Sequence, residues 1–316
     1  MQPDFVEDLG NGIYAIDTAF QRDHFDAAYL MVENGRAAFI DTGTNHAVTR
    51  LLAALASLGL GVEAVDWVIP THVHLDHAGG VGLLMQSLPN ARLLVHPRGA
   101  RHLIDPKALY LGALAVYGEE EMQRSYGQLR GVPAERVDES FDGQTISLGG
   151  RELLLIDTPG HARHHHCIWD ARTRGWFTGD TFGLSYREFD TAAGPWVLPT
   201  STPVQFEPQA LKASITRMMS YGPWQMFLTH YSRVGDVGRL AASLHAQIDA
   251  MVALALPLKA DPERHEKLKL GLSEHYLEEL RRHGCALLPE RQLELLAMDI
   301  ELNAQGLAVW LDKRAT

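Results

Sequence analysis

The sequence predicts an α+β fold in which two sheets pack face to face with helices outside them. Three observations carry that expectation. Strand-like and helix-like segments alternate from residue 12 to about residue 97. A second series of short apolar strands runs from about residue 144 to 180, and the chain becomes almost wholly helical from Asp236 onward. Alternation of the first kind lays helices against a sheet, and the second series needs a sheet of its own.

The elements follow in order. Residues 12–18 and 27–41 contain strand patterns, and Asn34-Gly35 between Ala28–Glu33 and Arg36–Asp41 is a strong hairpin signal. Thr44 or Asn45 is expected to cap a helix reaching about Leu58, because Val48, Leu51, Leu52, Leu55 and Leu58 recur at helical spacing. Val65–Pro70 reads as a short buried strand closed by proline, and Gly79–Met85 opens a helix-like apolar segment. Lys107 to about Leu129 reads as helix, within a helical insertion over about 98–140. Such an insertion is either a lid or a packing surface. As a lid it brings Tyr110, Tyr117 or Tyr126 to substrate. A loop rich in Pro, Thr and aromatic residues spans 186–206, where Arg187 either meets an anionic substrate group or rests at the surface. Beyond it, Leu240, Leu244, Ile248 and Met251 form one stripe, and Leu277, Leu280, Leu293, Leu296 and Leu302 suggest more. This tail is a helical cap or a homodimer face. The division drawn from these patterns is 1–235 and 236–316.

The chemistry lies in Thr71-His72-Val73-His74-Leu75-Asp76-His77-Ala78-Gly79-Gly80. Imidazole and carboxylate are ligands that Zn²⁺ and Fe²⁺ accept readily. The segment falls in a strand-to-helix turn, where side chains can converge. His72 and His74 can point the same way. Asp76 and His77 are adjacent and point apart unless the turn twists, so the cluster suits two neighbouring metals better than one closed shell. Three further strands end in the same residue types: Glu152–Asp157 leads to His161, Gly175–Phe177 to Asp180, and Trp224–Leu228 to His230. Strand ends gathered on one edge are where ligands collect in open α/β sheets. His164, His165 and His166 cannot all reach one metal pair, and a structural or solvated role is expected for His164 and His165.

The series His72-x-His74-x-Asp76-His77, then His161, Asp180 and His230, resembles the metallo-β-lactamase superfamily in its glyoxalase II-like, dinuclear branch, over roughly residues 10–235. The resemblance implies an αββα sandwich of two mixed sheets flanked by helices over 1–235, with 236–316 as a helical C-terminal extension. It implies one metal on His72, His74 and His161, a second on Asp76, His77 and His230, and Asp180 bridging both. Asp41 matches the aspartate that braces the ligand loop in that family; as a residue on its own it also suits a turn. Superfamily β-lactamases often carry Cys where Asp180 stands, and flavodiiron oxygen reductases usually carry Glu where His74 stands. The long stretch between His77 and His161 sets this chain apart from glyoxalase II.

Two cations about 3.5–4 Å apart can share one water and lower its pKa toward neutrality. The expected function is therefore a dinuclear hydrolase whose metal-bridging hydroxide attacks a small ester, thioester or lactone, with Asp76 and Asp180 orienting the nucleophile. Two divalent ions are expected, Zn first, with Fe and Mn as alternatives. One other reading is a non-haem iron protein that binds oxygen or oxidises sulfur. Another is a regulatory ligand-binding protein with a vestigial metal site. The net charge of −11 and the absence of a basic tract argue against nucleic acid. No run of about 18 apolar residues indicates a membrane span. Two cysteines and an acidic N-terminus without a signal pattern lead to a cytoplasmic expectation, with a small molecule as partner.

Overall fold

The computed structural model describes residues 2–201 and 203–314. Met1, Thr202, Ala315 and Thr316, which fall inside ranges read from the sequence, lie outside the described residues. The chain forms two compact units. One comprises residues up to Asp157, His164–Gly179 and Gln225–Arg233; the other comprises Thr158–Arg163, Asp180–Trp224 and the chain from Val234 onward. The division expected at residue 235 falls beside the last of these junctions.

The first unit holds both sheets, save for the last residue of β13. One sheet runs in sequence order through β1 (Val6–Gly10), β2 (Ile13–Asp17), β3 (Ala27–Glu33), β4 (Arg36–Ile40), β5 (Val65–Ile69), β6 (Arg92–Val95) and β7 (Val137–Glu139). Its first four strands are antiparallel and β4 to β7 are parallel. Parallel neighbours need crossovers. These are α1 (Val48–Ser57), then α2 (Leu75–Ala78) with α3 (Val81–Ser87), then α4 (Pro97–Ile104) with α5 (Lys107–Glu121). The other sheet contains β8 (Gln144–Leu148), β9 (Arg151–Asp157), β10 (His166–Asp170), β11 (Gly175–Gly179), β12 (Gln225–Leu228) and β13 (Ser232–Val234), in the spatial order β13-β12-β11-β10-β9-β8. It too is mixed: β11 and β12 are parallel, the pairs from β8 to β11 antiparallel.

Period-two alternation sorts the first sheet's side chains into two cores. Ile13, Tyr29, Met31, Ala38, Ile40, Ile69 and Leu94 face inward onto Leu153, Leu155, Ile168, Phe177 and Phe227 of the second sheet. Their neighbours Ile16, Leu30, Phe39, Val68 and Leu93 face outward onto Leu51, Leu55, Leu84 and Leu103 of the helices. Each fully buried side chain of this size is worth about 1.5–3 kcal/mol. The β3–β4 hairpin turns at Asn34 and Gly35, whose φ of 48° and 75° place both in the left-handed region, with Glu33 opposite Arg36.

Two expectations need correction. Neither Thr44 nor Asn45 caps α1 through its side chain: residues 45–47 form a 3₁₀ turn, and α1 begins at Val48. Asn45 is used elsewhere, donating Nδ2 to Tyr126 O at 3.1 Å and Gln128 O at 2.9 Å. The helix expected to reach about Leu129 is broken by Gly118, at φ 80°, and gives way to a wider turn over Met122–Tyr126. Its amino-terminal partner α4 is helical as expected, whereas 137–139 returns to the sheet as β7.

The second unit contains α6 (Pro208–Met219), α7 (Val237–Ala255), α8 (Arg264–His283) and α9 (Pro289–Lys313). The stripe Leu240, Leu244, Ile248 and Met251 is buried; on α8 and α9 the buried rows are Leu268, Leu272, Tyr276 and Leu280, and Leu296, Ile300, Asn303, Ala304 and Leu307. Val237–Leu258 is long and apolar enough to cross a membrane by length and composition alone, a test that core helices also pass. The two cysteines form no disulfide, and the Cys167 thiol donates to Thr178 O.

Candidate metal centre

In the first unit the centre is built around Asp41, at the carboxyl end of β4. Its φ of 56° is left-handed, uncommon for any residue but glycine. The carboxylate is fully buried and accepts from Thr71 N at 2.7 Å, Thr71 Oγ1 at 3.0 Å, His77 Nδ1 at 2.9 Å and Thr229 Oγ1 at 2.8 Å. One side chain thus ties the loop after β5, the α2 turn and the end of β12 together. A buried carboxylate is tolerable only when satisfied in this way. The two sheets also join here, where Ala27 N donates to Thr229 O at 2.8 Å.

These anchors aim the imidazoles. With Nδ1 of His77 on Asp41, its Nε2 carries the lone pair. His230 follows the same rule: Nδ1 lies 3.0 Å from Phe25 O. Asp76 Oδ2 then sits 3.7 Å from His77 Nε2 and 3.4 Å from His230 Nε2. The single helical turn Leu75–Ala78 supplies the twist that lets adjacent Asp76 and His77 point to one place. His72 Nε2 and His74 Nδ1 are 2.8 Å apart, and the rings of His72 and His77 approach to 4.0 Å. Zn–N and Zn–O bonds of about 2.0–2.1 Å place tetrahedral ligand atoms about 3.4 Å apart. Asp76, His77 and His230 fit that spacing, and their hard and borderline donors suit a divalent cation.

The second unit holds the other two expected ligands as a pair. His161 Nε2 lies 3.4 Å from Asp180 Oδ2, while His161 Nδ1 faces Thr200 O at 3.4 Å. The pattern of His230 is repeated: one ring nitrogen on a backbone carbonyl, the other on a carboxylate. Gly160, at φ 137°, makes this placement possible. A Cβ there would lie 2.2 Å from the backbone nitrogen of Leu211. Glu207 N donates to Gly160 O at 2.8 Å, fixing the turn before His161.

The remaining candidates fall in varied surroundings. Tyr126 is buried, with its ring 5.5 Å from Phe20 and 5.4 Å from Tyr117. Burial first, then the neighbouring Tyr117 and Asp76, hold its phenol well above the ordinary tyrosine range. Phe20 touches Phe25, and Phe25 meets the His230 ring edge-on at 5.3 Å, so an aromatic row leads from a candidate ligand to the insertion. Tyr110 lines a separate cavity of about 610 Å³ with Asp105, Lys107 and Gln123. Arg187 Nε donates to Ser185 O at 3.1 Å and its Nη1 lies 3.3 Å from Asp190, within its own loop. His165 is fully buried and stacks on His72 at 4.8 Å. His164 lies within 3.5 Å of Val73 N.

Asp26 is absent from the candidates read from sequence. It is fully buried at the edge of β3, where its Oδ2 accepts from Thr18 Oγ1 at 2.8 Å. Desolvation pushes its carboxyl up to about 7, against the opposing pull of His230 and His77. The available signal was a lone carboxylate heading an otherwise apolar strand, Asp26-Ala27-Ala28-Tyr29-Leu30.

The model of the metallo-beta-lactamase superfamily matches residues 22–230, and the chain belongs to that superfamily. It is 28% identical over 180 residues to the metallo-beta-lactamase fold-containing protein ST1585 of Sulfurisphaera tokodaii, covering 56% of this chain and 61% of that protein. It is 28% identical over 192 residues to the acyl-coenzyme A thioesterase MBLAC2 of Homo sapiens, covering 54% of this chain and 64% of that one. The matches thus span less than two thirds of either relative. The crystal structure of TTHA1429 from Thermus thermophilus, a metallo-beta-lactamase family protein, superposes with a TM-score of 0.68 at 21% identity, over 98% of this chain and 95% of that one.

Proposed function

We propose that this chain is a metal-dependent hydrolase of small esters, thioesters or lactones. In this reading His72, His74 and His161 hold one divalent ion and Asp76, His77 and His230 a second, with Asp180 shared. The observation that carries it is the convergence of Asp76, His77 and His230, with His77 aimed by a buried Asp41. The similarity to an acyl-coenzyme A thioesterase supports an acyl substrate. When bound, the ions supply an activated water and polarise the acyl carbonyl. The chain's own groups do the rest. Asp41 and the Phe25 carbonyl keep the Nε2 atoms of His77 and His230 as donors. Asp76 and Asp180 offset part of the cationic charge and orient the attacking water. No Ser or Cys nucleophile is required.

Anaerobic purification with elemental analysis, followed by a panel of thioesters and lactones, tests this. About two divalent ions per chain and zinc-supported acyl cleavage are expected. Asp180→Ala is expected to lose at least one ion and all turnover, whereas His164→Ala is expected to be far milder. A protein that retains no divalent metal overturns the reading. Tightly held iron with oxygen-sensitive optical bands and no acyl cleavage favours the redox alternative instead.

A further inference from the structure

We propose that Asn303, on α9 of the C-terminal extension, is a positioning residue for His161. The inference rests on His161 being a metal ligand. The Nδ1 atom of His161 faces the carbonyl of Thr200, and Asn303 grips both the peptide that carries this carbonyl and the one before it. Its Nδ2 donates to Pro199 O at 3.1 Å and to Tyr276 Oη at 2.8 Å. Its Oδ1 accepts from Ser201 N at 2.6 Å, and Ser201 Oγ donates to Asn303 O at 3.0 Å. Asn303 is 1% exposed, and Ser201 and Tyr276 are fully buried.

A buried amide costs several kcal/mol unless its donors and acceptor are used, so an apolar residue would fill this place more cheaply. Asparagine offers what the place uses: a donor and an acceptor fixed in one small plane. It holds the Pro199 carbonyl with one and the Ser201 amide with the other. Ser201 N and the Thr200 carbonyl share one trans peptide and point opposite ways, so holding that amide on Asn303 turns the carbonyl toward His161. One turn further along α9 stands Gly306, where a Cβ would lie 1.3 Å from Ser201 O. The helix is therefore pressed onto the same three residues at two successive contacts. Fixing Thr200 O holds the proton on Nδ1 of His161 and turns Nε2 toward Asp180.

Zinc affinity, measured by chelator competition on folded protein, separates positioning from mere anchoring of α9. Asn303→Ser and Gly306→Ala are expected to weaken zinc binding by about 10–100-fold, the range for removing an outer partner of a ligating histidine. Asn303→Asp keeps the acceptor for Ser201 N and loses the donor to Pro199 O; it serves where Gly306→Ala does not fold, with a loss in the same direction. Tyr186→Phe removes a 3.1 Å hydrogen bond to Asp299 on the same helix and is expected to lower the melting temperature of the metal-free protein without changing zinc affinity. In a His161→Ala background, Asn303→Ser is expected to have no further effect on zinc. Wild-type zinc affinity in Asn303→Ser, or a loss additive with that of His161→Ala, overturns the proposal. Zinc binding by the parent protein that is indifferent to His161→Ala overturns the ligand assignment instead.

Discussion

At the scale of residues, the organising group is a carboxylate that touches no substrate in the proposed scheme. Asp41 receives four donors from three segments, so its loss leaves several buried polar groups without a partner at once. Asp41→Ala is expected to cost about 3–5 kcal/mol in urea unfolding and to weaken metal binding by at least tenfold. Unchanged zinc titration in a folded variant would show that His77 needs no brace. The candidate ligands His72, His74, Asp76 and His77 were legible as a cluster because they lie within six residues, where spacing alone encodes proximity. Asp41 was legible only through the family resemblance, since on its own it suits a turn as well. Asn303 was not, since an Asn in a helical stripe resembles any polar interruption. Its meaning arises only where α9 meets residues 199–201, some hundred positions earlier in the chain. Asp26 escaped for the opposite reason: it is local to a strand, but nothing local distinguishes a buried carboxylate from a solvated one.

At the scale of elements, the insertion contrasts with the crossover helices. α1 buries Val48, Leu51, Ala54 and Leu55, whereas α5 buries no side chain, and Leu111 and Val116 on it are 53% and 44% exposed. Hydrophobic stabilisation follows the area removed from water, so α5 contributes little to the fold. Replacing 107–117 with a short Gly-Ser linker is expected to shift the melting temperature by only a few degrees. Met122 and Tyr126, both buried, are left in place as the anchor. If the insertion is a lid, the same variant changes relative rates across the acyl panel while metal content stays constant; unchanged rates reject that role. The helix read from sequence over Lys107 to about Leu129 is shorter in the structure, where Gly118 breaks it. Periodicity registers apolar spacing without registering whether anything packs on it. The hairpin at Asn34-Gly35 and most strands of both sheets were legible because turn chemistry and alternation act locally, whereas the short β1, β7 and β13 were not.

At the scale of the whole molecule, buried titratable groups set the acid limit of stability. His166 is fully buried between Ser140 Oγ, at 2.8 Å, and Pro70 O, at 3.0 Å. Desolvation pushes its imidazole down to about 3. Between pH 6.5 and 3 the unfolded chain takes up a proton that the native imidazole refuses, so stability falls as pH drops through that window. Burial would raise Asp170, but Arg151 and Thr173 hold it below the ordinary range. Its contribution is present at neutral pH and lost as pH falls through the native value. Asp26 works in the opposite sense, because its native carboxyl keeps a proton that the unfolded chain releases. The informative quantity is therefore a difference. Between pH 7 and 4, wild type is expected to lose on the order of 3 kcal/mol more in urea unfolding than His166→Gln. Equal losses would mean that His166 is protonated in the native protein.

The two units are interwoven along the chain: the backbone passes from one to the other at 157/158, 163/164, 179/180, 224/225 and 233/234. No single cut in the gene yields either unit whole, and stopping translation near residue 235 still leaves residues 158–163 and 180–224 stripped of the helices with which they fold. A recombination event that swapped only the tail would join one lineage's residues 199–201 to another's Asn303. Change in this architecture is therefore confined to paired substitutions across distant stretches of sequence, rather than to the exchange of modules.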